Sequence, residues 1–412
     1  MDETILNELR GKQVFVTGGT GFIGGRLIEK MVSRYDIKIK ALVSNYRNLF
    51  RVARYPIEIV YGDILNYNAI RDGLTGCDFL IHCAFGNKGS YEERKRINVE
   101  GTRNVLEAGK VAGVKRIVHI STFSVYELQD TSIDENSPYT SVSTAYTDSK
   151  IEAEKLVFEY YDKYNIPVTV IQPSIVYGPF ATGWTVGVVE QLMNGKIILV
   201  NDGEGYCNAV YVDDVVDAIL LATINRNAVG EKFIISYEKP ITWKEFYSAF
   251  EELSGIRSTV SMTVDEAKNL YKIQQKMKKK PSLFKVLPKL LTEHENVRHL
   301  KASRELSYTV KLLRATGLYD SMKSKFTVKE DGRTKQSNTE NHKTGDSKEL
   351  IVMPPHYFDS LAKKPVVDIS KAKQKLGFKP KYDFTSGMQL TNEWIKWAAI
   401  LPRDKIKNRQ VG

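Results

Sequence analysis

Cysteine is scarce: three residues in 412, Cys77, Cys83 and Cys207. An odd, widely spaced set builds no disulfide framework and matches no metal-ligand spacing, so neither a cross-linked scaffold nor a metal centre is expected. All three read as small buried apolar residues. Long apolar runs are missing too. No stretch approaches the roughly 20 uninterrupted apolar residues of a membrane span, and Met1 to Glu8 has neither the basic start nor the apolar run of a leader. The expectation is a cytoplasmic protein with no membrane span. What is present is an ordinary globular composition, 42% hydrophobic, sufficient for one large or two ordinary domains.

The net charge of +11 invites a nucleic-acid reading, and its location decides against one. Between Arg257 and Leu350 there are 21 Lys and Arg against 11 Asp and Glu, which leaves the rest of the chain nearly neutral. Residues 322–349 carry almost no apolar side chain, and such a composition cannot offset its ordering entropy by burial. A basic, partly mobile insertion is therefore expected at about 257–350. Lys278 to Leu287 has the basic-plus-apolar character of an anionic-surface binder, but a solvated helix face beside a pocket is the stronger reading. No nucleic-acid partner is expected.

From residue 12 to about 120, short apolar runs alternate with amphipathic stretches. Val14–Thr17, Lys38–Val43, Glu58–Tyr61, Phe79–His82 and Arg116–Ile120 read as strands, later joined by Val168–Ile171 and Lys232–Ile235. Continuous rather than alternating apolar strands indicate a parallel sheet covered on both faces, so the fold class is α/β, a doubly wound parallel sheet of Rossmann type. Residues 1–178 would form the core, with strands near 208–236 returning to it. Residues 179–207 and 237–412 would form a smaller, mostly C-terminal substrate lobe. Helices are expected over Thr185–Asn194, Thr242–Ser254, Val264–Lys279, Ser370–Leu376 and Ser386–Trp397.

Directly after the first strand stand Gly18, Gly21 and Gly24. The first glycine permits a tight turn, the second lets a pyrophosphate approach bare backbone, and the third lets the next helix pack closely, its amide end facing the phosphates. Tyr146 and Lys150 lie four residues apart at the start of a helical stretch, hence on one face. An ammonium group one turn from a phenol favours the phenolate and brings it toward neutral working pH, which suits acid-base chemistry. Thr122 leaves the C-terminal end of the strand Arg116–Ile120, where ligands sit in open α/β sheets.

These features appear in order with Gly62-Asp63-Ile64, His82-Cys83-Ala84, Asn98 to Thr102, Pro173 to Pro179 and Val212 to Val215. Together they resemble the extended short-chain dehydrogenase/reductase superfamily, in its NAD-dependent epimerase/dehydratase branch. The likeness covers about residues 10–255 and resumes at Asp368–Pro380. The resemblance implies that Tyr146 is the acid-base residue, Lys150 its pKa partner and a ribose ligand, and Thr122 the carbonyl orienter. It places Gly18, Gly21, Phe22, Ile23 and Gly24 on a pyrophosphate and Asp63 and Ile64 on an adenine. Ala84 becomes the wall of the cofactor groove, Asn98 a cofactor-side residue near the active-site helix, and Pro173 and Ser174 flank a nicotinamide. A homodimer through Asn98–Gly109 and Tyr146–Tyr164 is also implied.

Three departures narrow this. The second strand ends at Val43-Ser44-Asn45-Tyr46-Arg47 with no carboxylate for ribose hydroxyls. Arg47 or Arg51 could meet a 2′-phosphate, whereas Ser44 or Asn45 could bond a plain ribose, so the cofactor is NAD(P) with a lean to NADP. Phe123-Ser124 follows Thr122 where the dehydratases of this branch carry Asp-Glu, which disfavours dehydration. The arginines that hold a nucleotide-sugar diphosphate in this branch are absent at Cys207-Asn208 and in Ala362–Val366. The leading expectation is an NAD(P)-dependent oxidoreductase or epimerase acting on an activated sugar by transient hydride transfer. The alternatives are an NAD(P)H-dependent reductase or dehydrogenase of a small non-nucleotide alcohol or ketone, and a non-catalytic dinucleotide sensor binding an anionic partner.

Overall fold

The computed structural model describes residues 2–278 and 349–401. Its centre is a sheet of seven parallel strands: β1 Gln13–Thr17, β2 Lys38–Val43, β3 Glu58–Tyr61, β4 Phe79–His82, β5 Arg116–Ile120, β6 Val168–Pro173 and β7 Glu231–Ile235. The order is β7-β6-β5-β4-β1-β2-β3. Every pairing is parallel, as the continuous apolar runs require. The order reverses between β1 and β4, and the gap at their C-terminal ends is where such a sheet takes a ligand.

Alternation within β1 feeds two cores. Val14 and Val16 face one with Leu27 and Ile28, while Phe15 faces the other with Leu80, Val105 and Leu106. Helices α1 Asp2–Leu9, α2 Phe22–Tyr35, α3 Tyr67–Gly73, α4 Tyr91–Ala112 and α5 Ala145–Tyr164 follow in chain order. On the first face α2 packs along the helix Val212–Ile224. Arg26 Nε reaches Asp213 at 2.5 Å, Lys30 pairs with the fully buried Asp217, and Asp214 accepts the backbone N–H groups of Lys381 and Tyr382 at 2.8 and 3.1 Å. The acidic start of the helix Val212–Ile224 thus fastens both the dinucleotide half and the C-terminal segment.

On the second face α4 and α5 run side by side, joined by Tyr160 Oη to Glu107 at 2.7 Å and by Lys95 to Glu152 at 2.8 Å. Sequence dictates where both begin and end. Ser90 with Glu93 forms a capping box at the start of α4, and Thr144 with Thr147 does the same for α5. Left-handed Gly113 and Asn165 close them.

The lobe is built around a second parallel sheet that sequence periodicity does not signal. Its middle strand, Gly195–Val200, pairs with Thr259–Met262 and Glu349–Ile351. Ile198 and Val200 pack there with Ala267 and Phe358. The flanks of the expected basic insertion at 257–350 are therefore built into the lobe, since Thr259–Met262, the helix Val264–Lys278 and Glu349–Ile351 are all ordered elements. The remainder of that insertion, 279–348, lies outside the described residues, as does most of the basic-apolar run Lys278–Leu287. Two expected helices take another form. Thr182–Val186 is a π-helical turn running into the helix Gly187–Asn194, and Ala372–Leu376 is a π-helical turn. Trp243–Ser254 and Phe384–Trp397 are helices. Cys77 and Cys207 are buried, whereas Cys83 is only partly so, because it lines the cleft described next.

Candidate active site

A cavity of about 720 Å³ opens at the C-terminal edge of the sheet. Gly18, Gly21, Phe22, Ile23, Gly24, Ser44, Asp63, Ile64 and Ala84, all expected at the cofactor, line it. Gly18 adopts φ +72°, and a side chain there would place its first carbon 2.6 Å from Ala84 N. A carbon on Gly24 would collide with Gly18 O. These two positions keep the turn and the start of α2 pressed together. Gly21 is the N-cap and offers no side chain, so the first amide groups of α2 stay available at the positive end of the helix dipole. A bare turn, an uncapped helix start and an adjoining cleft fit a dinucleotide pyrophosphate. Asp63 takes the N–H of Leu65 at 3.0 Å, a local turn that presents residues 63 and 64 to the cleft.

Some expected ligands stand elsewhere. Asn98 does not line the cavity: its carboxamide is spent on Gly86 N at 2.7 Å, Gly86 O at 3.1 Å and Ser149 Oγ at 3.2 Å. It ties the cleft loop to α5. Pro173 ends β6 and Ser174 follows it, both outside the lining, and Ser174 Oγ lies 2.9 Å from Ser236 Oγ. Arg47 is exposed and outside the cleft. Arg51 lines it but is already engaged, with Nη2 on Glu29 at 2.8 Å, Nη1 on Phe22 O at 3.0 Å and its guanidinium 4.2 Å from the Phe180 ring.

Thr122, Tyr146 and Lys150 also stand outside that lining, beside the cavity, where Tyr146 and Lys150 both face Phe85 and Lys150 reaches the end of β5. The Thr144 cap starts α5 one residue before Tyr146, and the hydroxyl of Thr122, just beyond β5, lies close enough to the phenol to draw its pKa down. Thr122 Oγ1 accepts the Ser124 N–H at 3.2 Å, so its own hydrogen remains free to donate. Tyr146 is 37% exposed. Burial of the rest of the residue raises its pKa above the ordinary phenol value, and the nearby Thr122 hydroxyl acts in the opposite direction. Lys150 is buried, its Nζ donating to Ile120 O at 2.8 Å and lying 4.9 Å from the Phe85 ring. Burial pushes its pKa down to about 8.

The net shift of the phenol is upward, opposite in direction to the pull expected of Lys150. The amine is turned to a backbone carbonyl and an aromatic face, and loss of water around the tyrosine outweighs the Thr122 hydroxyl. Sequence reading missed Phe85, whose ring meets Tyr146 edge-on at 5.1 Å and lines the cleft. Its only signal was adjacency to Ala84.

The two positions without arginine are filled structurally. Cys207 is wholly buried, and Asn208 Nδ2 donates to Pro365 O at 3.0 Å. Lys363 Nζ donates to Leu128 O, and Lys364 faces Glu204. Phe123, in the place of the dehydratase acid, is buried.

Residues 14–236 match the sequence profile of the NAD dependent epimerase/dehydratase family. A ketoreductase of Stigmatella aurantiaca, named for 4-hydroxy-2-methyl-3-oxo-4-farnesyl-3,4-dihydroquinoline-1-oxide, is 26% identical over 321 residues, 74% of this chain and 94% of that protein. An Escherichia coli O157:H7 enzyme named N-acetyl-alpha-D-glucosaminyl-diphospho-ditrans,octacis-undecaprenol 4-epimerase is 30% identical over 211 residues, 50% of this chain and 61% of that protein. Among solved structures, a dTDP-glucose 4,6-dehydratase of Streptomyces venezuelae with NAD bound superposes with a TM-score of 0.63 at 20% identity, covering 93% of this chain and 97% of that one. No helix among the described residues is long and apolar enough to cross a membrane. With more than half the chain matched and the doubly wound sheet in place, the protein belongs to the NAD-dependent epimerase/dehydratase family, enzymes of the extended short-chain dehydrogenase/reductase type.

Proposed function

We propose that this enzyme moves a hydride between a nicotinamide cofactor and a small non-nucleotide alcohol or ketone, with ketone reduction as the favoured direction. The observation that carries the substrate class is the state of the two missing arginine positions. Cys207 is core, the Asn208 amide is spent on Pro365 O, and Lys363 is spent on Leu128 O, so neither of these two positions offers a guanidinium to a second diphosphate. The likeness to a ketoreductase along 94% of that protein's length supports the same choice. The nucleotide-sugar epimerase reading stays as the second one, supported by the likeness to the undecaprenol-linked 4-epimerase.

In this reading Gly18, Gly21, Phe22, Ile23 and Gly24 hold the pyrophosphate, Asp63 and Ile64 the adenine, Ser44 the adenosine ribose and Lys150 the nicotinamide ribose. Ala84 walls the groove. When bound, the nicotinamide supplies the hydride to the carbonyl carbon. Tyr146 gives its phenolic proton to the carbonyl oxygen, and Thr122 orients that oxygen through its hydroxyl. The raised pKa keeps Tyr146 protonated at neutral pH, the state a proton donor needs. Lys150, charged below about pH 8, stabilises the phenolate left behind.

NADP is the favoured form, because β2 is followed by exposed Ser44 with no carboxylate there to hold the ribose hydroxyls. A homodimer through α4 and α5 completes the reading, and light scattering showing a monomer counts against it. The test of substrate class is consumption of NADPH or NADH with a panel of aryl and steroidal ketones beside UDP-sugars assayed for epimerisation. Turnover of ketones alone is expected. Epimerisation of a UDP-sugar without net cofactor consumption overturns the substrate class in favour of the second reading.

A further inference from the structure

The glycine turn is one contributor to the cavity wall, and the C-terminal lobe supplies another. Phe180, Thr182 and Val186, from the segment after the short strand Ile175–Tyr177, line the cavity with Arg51 and with Trp394 of the helix Phe384–Trp397. Phe180 touches both of the latter. Its ring lies 4.2 Å from the Arg51 guanidinium carbon and 4.8 Å, centre to centre, from the Trp394 ring. Arg51 in turn donates to Phe22 O at 3.0 Å, and Phe22 directly follows Gly21. Three side chains thus join the loop after β2, the lobe segment and the closing helix beside the start of α2.

The backbone of this segment is strained where it meets the cavity. Phe180 adopts φ +69°, a left-handed conformation that a bulky side chain rarely takes. Such an outlier persists only where its surroundings over-determine it, and outliers of this kind cluster at ligand clamps. Two residues earlier Gly178 has φ +135°, and its N–H donates to Oγ1 of the fully buried Thr185 at 3.1 Å. Thr182–Val186 is a π-helical turn, a form frequent at functional sites. The segment is therefore anchored at Thr185 and strained at Phe180. Two ring contacts hold Phe180, a cation against an aromatic face and an aromatic pair, and each is comparable in size with the strain it opposes. A balance that close lets the wall part and re-form.

We propose that Phe180 is a cofactor-retaining residue: clasped between Arg51 and Trp394, it closes the cavity beside the glycine turn and sets the rate at which a bound dinucleotide leaves. The inference rests on the reading that this cavity holds the dinucleotide. A net redox enzyme exchanges its cofactor at every turnover, and a clasp made of two weak contacts and one strained residue is a barrier it can cross each time.

The experiment measures cofactor release. The full chain is loaded with NADPH or NADH, whichever binds tighter, and chased with excess oxidised dinucleotide in a stopped-flow instrument. Loss of bound-cofactor fluorescence is followed in wild type, Phe180→Ala, Phe180→Tyr and Trp394→Leu, with urea unfolding to show that each is folded. Phe180→Ala loses both ring contacts and is expected to release the dinucleotide about tenfold faster, and Trp394→Leu several-fold faster. Phe180→Tyr, which keeps the ring, is expected to stay within about twofold of wild type. Release from Phe180→Ala within about twofold of wild type overturns the inference, and so does equal acceleration in Phe180→Tyr. If Phe180→Ala does not fold, Trp394→Leu decides by the same criterion. A wild type that binds neither NADPH nor NADH defeats instead the placement of a dinucleotide in this cavity.

Discussion

Replacing Gly18 by alanine adds one carbon atom at the place where the sheet, the turn and the cofactor groove meet. Two costs follow from the structure. The first is conformational, because φ is +72° and a side chain in left-handed backbone costs about 1–2 kcal/mol. The second is a collision. The new carbon would lie 2.6 Å from both Ala84 N and Cys83 C, backbone atoms that cannot swing aside, and overpacking of that kind costs about 1–3 kcal/mol. The sum is about 2–5 kcal/mol. It appears as lost stability if the turn holds its shape. If the turn opens, it appears as weaker dinucleotide binding, with each 1.4 kcal/mol worth about tenfold.

Gly76 is the control that separates the two costs, since it has φ +77° and open space around it. Gly76→Ala is expected to cost only the conformational part and to leave NADPH binding unchanged. The assay is urea unfolding combined with NADPH fluorescence titration on both variants in one buffer. If Gly18→Ala matches Gly76→Ala in stability and binds NADPH within twofold of wild type, the packing argument for the turn is refuted.

Glu29→Ala strands Arg51, which bonds it at 2.8 Å, and loosens Arg26 and Arg54. Removing one member of a buried pair is expected to cost about 3–5 kcal/mol, read by urea unfolding at neutral pH, and a cost under 1 kcal/mol contradicts it. The depressed pKa of Glu29, opposed by burial but held down by Arg51, places its contribution above the ordinary glutamate range, so stability is expected to fall as acid protonates the pair. Urea midpoints followed from pH 6 to 3 test this, and Glu29→Gln should flatten that slope. Asn98→Ala removes the bonds to Gly86 and Ser149 and is expected to weaken NADPH binding about tenfold by freeing the cleft loop, with each lost bond worth roughly 1 kcal/mol. Unchanged binding in Asn98→Ala would show that the loop is held by other contacts.

The central sheet was legible because its signal is local. Lys38–Val43, Glu58–Tyr61, Phe79–His82 and Arg116–Ile120 are short apolar runs bounded by polar turns, and the strands occupy those spans. The lobe was not. Gly195–Val200 pairs with strands that begin at residues 259 and 349, and no local pattern encodes such a separation. Two-residue strands such as Ser132–Ile133, paired with Val366–Val367, are too short to show a period.

Within the site, the glycines and the Tyr146–Lys150 spacing were legible because a turn and one helical face are local properties. The ionisation of Tyr146 was not, since it depends on how much water the fold removes. The buried partners of Arg51 and Asn98 were equally hidden, because each is set by elements distant in sequence. Arg51 bonds Glu29 across 22 residues, and Asn98 bonds Ser149 across 51.

Proton donation by Tyr146 is tested most directly by NADPH oxidation with the best ketone of the panel, in wild type and Tyr146→Phe, alongside NADPH affinity for both. Turnover is expected to fall by about 10²–10⁴-fold while affinity stays within a few-fold. Equal turnover in the two proteins would contradict the account.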